Sequence, residues 1–308
     1  MPRAPGKKPS RMHAGLVGER ALVGTAYLND DKLRAQYAAE IAPRTAAMLQ
    51  KIFEQHLPSV TPKRVLDLGA GTGIVGATLK QRFAGVEVVA IDRVASPGII
   101  GFDLRKAGTP AGVNGRFDLI VAAHLLNELT DLQAPARATL AQSWLRQWLA
   151  PGGLLLLIEP ALKETSRALL QVRDLLVAQG FVIEAPCVWQ GPCPALVDPK
   201  DWCHDSAARP SLPRADYSFL AVRESGQVKP DATLLRVVSD LRREKGRSRL
   251  FACGAEGRVP YVLQSRDVTP SNETFLALDR GSLCRILGVS VAGDGLRLGP
   301  ATDVRLGP

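Results

Sequence analysis

The chain of 308 residues exceeds one typical domain, so its length predicts one large domain and one smaller domain. Hydrophobic residues make up 46% of it, as in globular proteins, and no apolar run reaches the roughly 18–20 residues of a membrane span, so we expect no membrane partner. The formal net charge of +9 favours a polyanionic partner, most simply nucleic acid, with an inert basic surface as the alternative.

The first residues, MPRAPGKKPSRMH, are basic, and no apolar segment follows them, which argues against a secretory signal. We expect residues 1–25 to form a basic flexible arm. A mitochondrial presequence is the alternative, because the first eighteen residues contain no acidic side chain. The predicted location is therefore the cytoplasm of a bacterium or, in a eukaryote, the mitochondrial matrix.

Helices and strands are predicted to alternate along most of the chain. The helical patterns cover 32–57, with a break or restart at Pro43, and then 74–83, 125–149 and 164–180. Apolar runs predict buried strands at 64–73, where the run ends in a glycine loop, and at 86–92, 117–123, 151–160, 181–187 and 217–223. This alternation indicates an α/β fold with a parallel sheet that is covered on both faces.

Two segments depart from this alternation. Residues 186–216, between the last two strands, are rich in Pro and Cys and are predicted to be an insert without regular structure. Further on, a basic segment at 232–247 fits a helix, and short runs predict strands at 249–253, 259–266, 274–279 and 283–291. We therefore expect a large domain over 26–225 and a small, barrel-like β domain over 226–308.

The run VLDLGAGTG places Asp67 at the end of a strand and Gly69, Gly71 and Gly73 in a tight turn before a helix. Glycines admit a close ligand and a helix N-terminus supplies free N–H groups, as in nucleotide sites. Asp92 ends the second strand, where a carboxylate can accept hydrogen bonds from both hydroxyls of a ribose. A Rossmann-like domain with a different nucleotide, or with none, is the alternative.

The motif D-L-G-A-G-T-G resembles motif I of the class I S-adenosylmethionine-dependent methyltransferases, and the PGG turn at 151–153 and the final pair of strands are similar to that family. The resemblance implies that S-adenosylmethionine is bound by Asp67, Gly69, Gly71, Gly73 and Asp92. Asp103 stands where the family often has an acidic residue that faces the adenine. A role in a loop or a helix cap is the alternative for Asp103.

No catalytic residue is assigned from the sequence. The segment AAHLLNEL at 122–129 lacks the Asn/Asp-Pro-Pro-aromatic tetrad of amino methyltransferases, and it offers no Cys for methylation of an RNA base carbon. His124 and Glu128 are candidates for a general base, and each has capping or packing as its alternative role. Whether the chain is an enzyme is therefore left open.

Three of the five cysteines, Cys187, Cys193 and Cys203, stand within seventeen residues, and Cys253 follows fifty residues later. Neighbouring prolines and a buried Trp202 are expected to stiffen the backbone that carries them. A disulfide is disfavoured in a chain without an export signal. Zinc could take the first three thiolates with His204 or Cys253, and an iron–sulfur cluster could take all four; the spacing does not separate these alternatives.

The motif order resembles the methyltransferase-like family associated with the mitochondrial ribosomal small subunit, including its bacterial members, over about residues 30–265. The motifs are the glycine loop, AAHLLNEL, PGGLLLLIEP, C-x5-C-P, D-W-C-H, YSFLAVR and a basic stretch that ends in a lone Cys. The resemblance implies binding of small-subunit ribosomal RNA, a role in assembly, and a 4Fe–4S cluster on Cys187, Cys193, Cys203 and Cys253. We expect a monomer in which Cys284 is a buried core thiol.

The sequence departs from this family's pattern where Val188 and Trp189 follow the first Cys of the motif and where Asp205 follows Cys-His. The alternative function is an active methyltransferase for ribosomal RNA, whose Cys site holds a 4Fe–4S cluster or zinc structurally. Radical chemistry at the cluster is disfavoured, because the C-x3-C-x2-C spacing of radical S-adenosylmethionine enzymes is absent.

Overall fold

The computed structural model describes residues 10–209, 212–224, 231–293 and 295–307. Over these ranges, none of the helices combines the length and the hydrophobicity that a bilayer span would require. The α-helices are α1 (Arg11–His13), α2 (Asp31–Glu40), α3 (Ala42–Lys51), α4 (Ile74–Arg82), α5 (Ala134–Trp148) and α6 (Lys163–Ala178). A π-helical turn continues α1 over Ala14–Gly18, and another continues α3 over Ile52–His56.

Within the described residues, eight strands form one mixed sheet. They are β1 (Arg64–Leu68), β2 (Glu87–Asp92), β3 (Ile100–Gly101), β4 (Phe117–Ala123), β5 (Leu149–Pro160), β6 (Val182–Ala185), β7 (Asp205–Arg209) and β8 (Leu212–Arg223). The order is β3-β2-β1-β4-β5-β8-β6, and β7 pairs with β8. Strands β1 to β5 are parallel, whereas β8 runs antiparallel to β5, β6 and β7.

The apolar run at 154–158 forms the centre of this sheet because both of its faces are covered. Leu155 and Leu157 pack with α5 and α6 on one face, while Leu154 and Leu156 pack with α3 and α4 on the other. Burying each of these leucines stabilises the fold by about 1.5–3 kcal/mol relative to leaving it exposed. The predicted α/β fold with both faces of the sheet covered is therefore confirmed, but the sheet is mixed and not wholly parallel, because β8 runs antiparallel to its neighbours.

The remaining strands of the described residues close into a barrel. They are β9 (Leu234–Val237), β10 (Arg242–Glu244), β11 (Arg247–Gly254), β12 (Gly257–Gln264), β13 (Leu283–Ala292) and β14 (Gly295–Leu306). Their order is β10-β11-β12-β14-β13-β9, and β9 also pairs with β11, so the sheet returns on itself. The core of the barrel contains Leu250, Ala252, Phe275 and Cys284, and Cys284 is the buried thiol that the sequence predicted.

Two predictions in this part of the chain are wrong. The basic segment at 232–247 is not a helix but contains β9 and β10, because Leu235 and Val237 point into the barrel core while Arg236 points away from it. Residues 274–279 do not form a strand. A 3₁₀ helix over Glu273–Ala277 replaces it and places Phe275 in the barrel core.

Two other segments are more ordered than the sequence predicted. The insert at 186–216 contains a 3₁₀ turn (Pro194–Leu196), β7 and the beginning of β8, which pair with each other. The proposed arm at 1–25 is described from residue 10 onward, and there it forms α1 and a π-helical turn. Met12 is fully buried, and the Ser10 hydroxyl donates a hydrogen bond to Glu40, so this part of the arm is folded against α2.

Candidate cofactor cleft and cysteine site

The glycine loop connects β1 to α4 at the carboxyl edge of the sheet. Gly69, Gly71 and Gly73 all have a positive φ, at 72°, 54° and 78°. A Cβ atom added to Gly69 would lie 2.9 Å from Leu125 Cδ1, so glycine is required there for space as well as for conformation. The loop therefore brings backbone N–H groups close to the cleft above it.

Asp92 fixes this loop from the end of the neighbouring strand. Its Oδ2 accepts a hydrogen bond from the Gly71 N–H at 2.9 Å, and its Oδ1 accepts one from the Val94 N–H at 3.0 Å. Each oxygen of a carboxylate can accept a further hydrogen bond. The geometry is compatible with the ribose contact that the sequence predicted for Asp92, which stays a prediction.

Asp67 lies beneath the loop at the end of β1 and is 1% exposed. Among the described residues, neither of its carboxylate oxygens has a hydrogen-bond partner. Burial raises the pKa of Asp67 to about 7, with the charge of Asp92 adding to the effect and the nearby Gly76 backbone opposing it. A buried carboxylate without partners at the wall of a cleft is suited to a ligand that brings hydrogen-bond donors.

Asp103 lies in the loop after β3 and lines the same cleft. Its Oδ2 forms an ion pair with Arg105 Nη2 at 2.8 Å, and its Oδ1 accepts a hydrogen bond from the Arg105 backbone N–H at 3.1 Å. The hydrogen bonds from Arg105 hold the pKa of Asp103 at about 2. The contact with adenine remains a prediction, and any such contact would be made by a carboxylate already paired with Arg105.

The cleft has a volume of about 1350 Å³ and brings the six predicted cofactor residues together with His124 and Glu128. His124 directly follows β4 and has a φ of 60°, and its Nε2 lies 3.2 Å from Thr45 Oγ1. Its Nδ1 has no hydrogen-bond partner in the part of the chain that the structure describes. Burial lowers the pKa of His124 to about 4, so the imidazole is neutral at pH 7.

Glu128 occupies the turn that follows His124, and its carboxylate accepts a hydrogen bond from the Gly24 N–H. Burial raises the pKa of Glu128, while Gly24 and the charge of Arg20 oppose that shift. A structural role, which was the alternative for Glu128, is therefore present. Gly24 belongs to the N-terminal segment (10–29). Leu28 of the same segment lies over Gly71, because a Cβ atom added to Gly71 would be 3.3 Å from Leu28 Cδ1.

Sequence reasoning missed Glu159, which holds this turn from the end of β5. Its Oε1 accepts from the Leu126 N–H at 2.9 Å, and its Oε2 accepts from the Asn127 N–H at 3.2 Å. Burial raises the pKa of Glu159 to about 8 despite these two bonds. A signal was present, because a single acid closes the apolar run LLLLIEP at the carboxyl edge of the sheet.

Cys187, Cys193, Cys203 and Cys253 line one small cavity between the insert and the barrel. Burial raises the pKa of Cys193 and of Cys253 to about 12, and for both the neighbouring thiols Cys187 and Cys203 add to the rise. All four are free thiols. Among the described residues, no group of three His, Cys, Asp or Glu side chains stands in an arrangement that could hold a metal ion.

Two arginines of α6 fix the loop that carries these thiols. Arg167 donates hydrogen bonds to the carbonyl oxygens of Ala195, Asp198 and Asp201 at 2.6–3.0 Å. Arg173 is buried and donates to the carbonyl oxygens of Trp189 and Gly191. The loop is therefore rigid for a reason that its sequence does not show.

Asp174 and Trp202 complete the description of this loop. Asp174 pairs with Arg173 at 2.6 Å and accepts a hydrogen bond from the Cys193 N–H at 3.0 Å. Trp202 is 37% exposed and stacks on His204, with ring centroids 6.1 Å apart. The prediction of a buried, anchoring Trp202 is wrong, because the arginines of α6 hold the loop instead. His204 lines the cavity with the thiols, as the zinc alternative requires.

The fold and the cleft define the class of protein. The sheet has five parallel strands in the order 3-2-1-4-5, and an antiparallel strand is inserted between the fifth strand and the last. A glycine loop lies between acids at the ends of the first two strands. These features are those of a class I S-adenosylmethionine-dependent methyltransferase fold. The chain belongs to the Rsm22 family, whose sequence profile, described as mitochondrial small ribosomal subunit Rsm22, matches residues 31–266. The resemblance inferred from the motifs is confirmed.

Comparison with curated proteins gave no match. Solved structures similar to this chain include a ribosomal protein L11 methylase from Lactobacillus delbrueckii subsp. bulgaricus, which is 20% identical with a TM-score of 0.37 over 60% of this chain and 79% of the other. The N-methyltransferase NodS from Bradyrhizobium japonicum, in complex with S-adenosyl-l-homocysteine, is 15% identical with a TM-score of 0.40 over 69% and 98%. At these scores the fold assignment rests on the strand order and the family match.

Proposed function

We propose that this chain binds small-subunit ribosomal RNA as an assembly factor, with S-adenosylmethionine in its cleft and a 4Fe–4S cluster on Cys187, Cys193, Cys203 and Cys253. The observation that carries the proposal is that thiols from the insert and from barrel strand β11 line a single cavity. A cluster bound there would join the barrel to the methyltransferase-like sheet and would act structurally. The family's description places its members in the mitochondrial small ribosomal subunit, which supports the choice of partner.

The cleft suits S-adenosylmethionine because its polar groups match the donors of that molecule. The unpartnered carboxylate of Asp67 could accept from an ammonium group, and the Asp92 carboxylate could accept from ribose hydroxyls. Bound S-adenosylmethionine supplies an electrophilic methyl group on a sulfonium. The loop of Gly69, Gly71 and Gly73 would place backbone N–H groups against it, and the N-terminal segment (10–29) would shield it from water.

The donor set at the second site is compatible with an iron–sulfur cluster, with zinc as the alternative. A 4Fe–4S cluster takes one thiolate at each iron, and four thiols line this cavity. Zinc could take the first three thiolates with His204 or Cys253, which line the same cavity. The guanidinium groups of Arg173 and Arg236 line the same cavity and would offset the negative charge of thiolates.

RNA binding is supported by the net charge of +9 and by the family. Contacts with phosphates dominate the affinity of such a protein, so binding to the small subunit should weaken steeply as salt rises. We propose that the protein acts as a monomer wherever small subunits are assembled, in the cytoplasm of a bacterium or in the mitochondrial matrix.

Methyl transfer to ribosomal RNA is the second candidate function, and His124 is the observation that favours it. Its neutral imidazole lines the cleft, Thr45 holds Nε2, and Nδ1 is left without a partner in the described structure. An unpaired Nδ1 could orient a nucleotide base that has been taken out of its stack. Methyl groups on ribosomal RNA from cells with the gene, and their absence without it, would establish this activity.

The assembly-factor proposal is tested by purifying the protein without oxygen and measuring iron, acid-labile sulfide and zinc, followed by co-sedimentation with small ribosomal subunits. About four irons and four sulfides per chain, with salt-sensitive co-sedimentation, are expected. Zinc without sulfide would overturn the cluster. Failure to co-sediment with subunits at any stage of assembly would overturn the proposed partner.

A further inference from the structure

The barrel has a strand order that is specific to one class of binding module. Omitting the edge strand β10, its hydrogen-bonded circuit within the described residues is β9-β11-β12-β14-β13 and back to β9. If these five strands are numbered in chain order, their order around the barrel is 1-2-3-5-4-1. The third strand, β12, and the fifth strand, β14, pair in parallel, and the other pairs are antiparallel. This is the Greek-key order of the five-stranded OB-fold, a barrel that binds oligonucleotides or oligosaccharides across its second and third strands.

The connection between the third and fourth strands agrees with this assignment. It contains the 3₁₀ helix Glu273–Ala277, which closes one end of the barrel with Phe275 and is followed by Leu278 in the same core. An OB-fold carries a helix in the same connection and for the same purpose, since a small barrel must be closed at its end to exclude water from its core. The assignment therefore rests on pairing, direction and closure together.

The second and third strands, β11 and β12, present a basic outer face. Burial alternates along β11, so that Leu250 and Ala252 face the core while Arg249 and Phe251 face outward. The guanidinium of Arg258 on β12 lies 4.8 Å from the centroid of the Phe251 ring, and an ion pair with Asp201 of the insert holds it there, at the edge of the cysteine cavity. An aromatic ring and a guanidinium plane stacked in this way form a surface on which a nucleotide base can stack.

A row of arginines crosses this face at right angles to the strands. In the strand register, Arg242 on β10 lies opposite Arg249 on β11. On the other side of β11, Arg249 lies opposite Val262 on β12, and Val262 is the neighbour of Arg297 on β14. Like charges directly opposite each other on neighbouring strands are destabilising. Glu244 offsets part of this charge through an ion pair with Arg249 at 3.0 Å. A polyanion that crosses the row would relieve the remaining repulsion.

We propose that the barrel is an OB-type module that binds single-stranded RNA across the outer face of β11 and β12. The row of Arg242, Arg249 and Arg297 contacts phosphates, and the Phe251–Arg258 pair stacks a base. This inference rests on the RNA-binding part of the proposed function and names both the surface and the strandedness of the RNA. Duplex RNA is the competing ligand in the test.

The test uses the full chain and a fluorescently labelled single-stranded RNA of about 12 nucleotides, a length within the range that OB-folds cover. Anisotropy titrations at several salt concentrations compare the unchanged protein with a triple Arg242→Ala, Arg249→Ala, Arg297→Ala variant. Arg266→Ala is the matched control, because its side chain is 81% exposed in the same barrel but lies beyond the end of β12. We expect the triple variant to lose at least about 10-fold in affinity and to have a salt slope smaller by about 2–3, with the control unchanged.

Iron content and the unfolding midpoint of each variant establish that the barrel has remained folded, and crosslinking of 4-thiouridine RNA to the unchanged protein provides a second readout. Crosslinks in β11 or β12 support the inference. Equal affinity for the triple variant, equal affinity for a hairpin duplex, or crosslinks confined to residues outside β10, β11, β12 and β14 would overturn it. Failure of the unchanged protein to bind small subunits would remove the proposed function, whereas those three results would remove only the role of the barrel.

Discussion

Arg236 on the first barrel strand donates a hydrogen bond to Asp205 on β7 of the large sheet at 2.9 Å, and both side chains are almost completely buried. Asp205 also accepts hydrogen bonds from Lys51 at 2.9 Å and from His56 at 2.8 Å, at the end of α3. Burial alone would raise the pKa of Asp205, but the hydrogen bond from His56 and the charges of Arg236 and Lys51 hold it well below its usual range. One carboxylate thus joins the sheet, helix α3 and the barrel.

We expect Asp205→Ala to destabilise the protein by about 3–5 kcal/mol, because it leaves the buried guanidinium of Arg236 and the Lys51 ammonium without their counter-ion. The measurement is the free energy of unfolding in urea. Asp31→Ala is the control, since the Asp31 side chain is 92% exposed and its ion pair with Arg34 lies at the surface. A loss for Asp205→Ala no larger than that of the control would show that the buried network does not hold the two parts together.

Asp67→Asn is expected to remove a pH dependence of the unfolding free energy. Burial raises the pKa of Asp67 in the folded protein to about 7, above its ordinary value of 3.8, so the folded protein keeps a proton that the unfolded chain releases. The stability from this group is complete below the ordinary value and is lost as pH rises through 7. From pH 5 to pH 8 the unchanged protein should lose roughly 1–3 kcal/mol through this group, and the variant should not.

The measurement is urea unfolding of both proteins at pH 5 and at pH 8, with S-adenosylmethionine affinity determined in parallel. We expect the variant to gain relative stability at pH 8 and to bind the cofactor more weakly, as is usual where a strained group serves a ligand. Identical pH profiles for the two proteins would show that the Asp67 carboxyl is not protonated in the folded state at pH 5.

Asp92→Ala should weaken the binding of S-adenosylmethionine by about 10–100-fold, because it removes a charged acceptor for the ligand and the anchor of the Gly71 N–H. Isothermal titration calorimetry measures the affinity. Glu87→Ala is a control at the opposite end of the same strand, where Glu87 pairs with Arg64 at the surface. Unchanged affinity in Asp92→Ala would exclude this residue from the cofactor site.

Cys253→Ser and Cys187→Ser should each abolish most of the iron bound after anaerobic purification, because each removes one of the proposed ligands. Cys284→Ala is the control, since Cys284 is buried in the barrel core away from the cavity. Iron and sulfide are assayed per chain. Iron content unchanged in Cys253→Ser would show that the barrel supplies no ligand and that the cluster, if present, belongs to the insert alone.

The parts of the fold that could be predicted are those that a short stretch of sequence decides. The apolar run at 154–158 is too continuous for a half-exposed strand, and the glycine loop requires positive φ at Gly69, Gly71 and Gly73. The segment at 232–247 could not be predicted in this way. Its strands are short and rich in arginine, and they form because β11 and β13 supply hydrogen-bond partners from outside the segment.

The same distinction applies to the site. The residues expected at the cofactor cleft come together because they follow the ends of adjacent parallel strands. Thr45 was not predicted as the partner of His124, because α3 brings it there from seventy-nine residues away. The buried guanidinium of Arg173 was not predicted either, since an arginine on an amphipathic helix ordinarily faces water.

The Rsm22 sequence profile ends at residue 266, but the barrel does not, since β13 and β14 lie beyond it. A protein cut at that boundary would keep β11 and its Cys253 yet lose the strands that close the circuit around the core. The recognisable signature and the unit that folds thus have different ends. A strand that only completes a barrel needs a backbone that can form hydrogen bonds and apolar side chains at alternating positions. Many different sequences meet these two requirements. A ligand set tolerates far fewer, so a recognisable sequence signature can end partway through a domain.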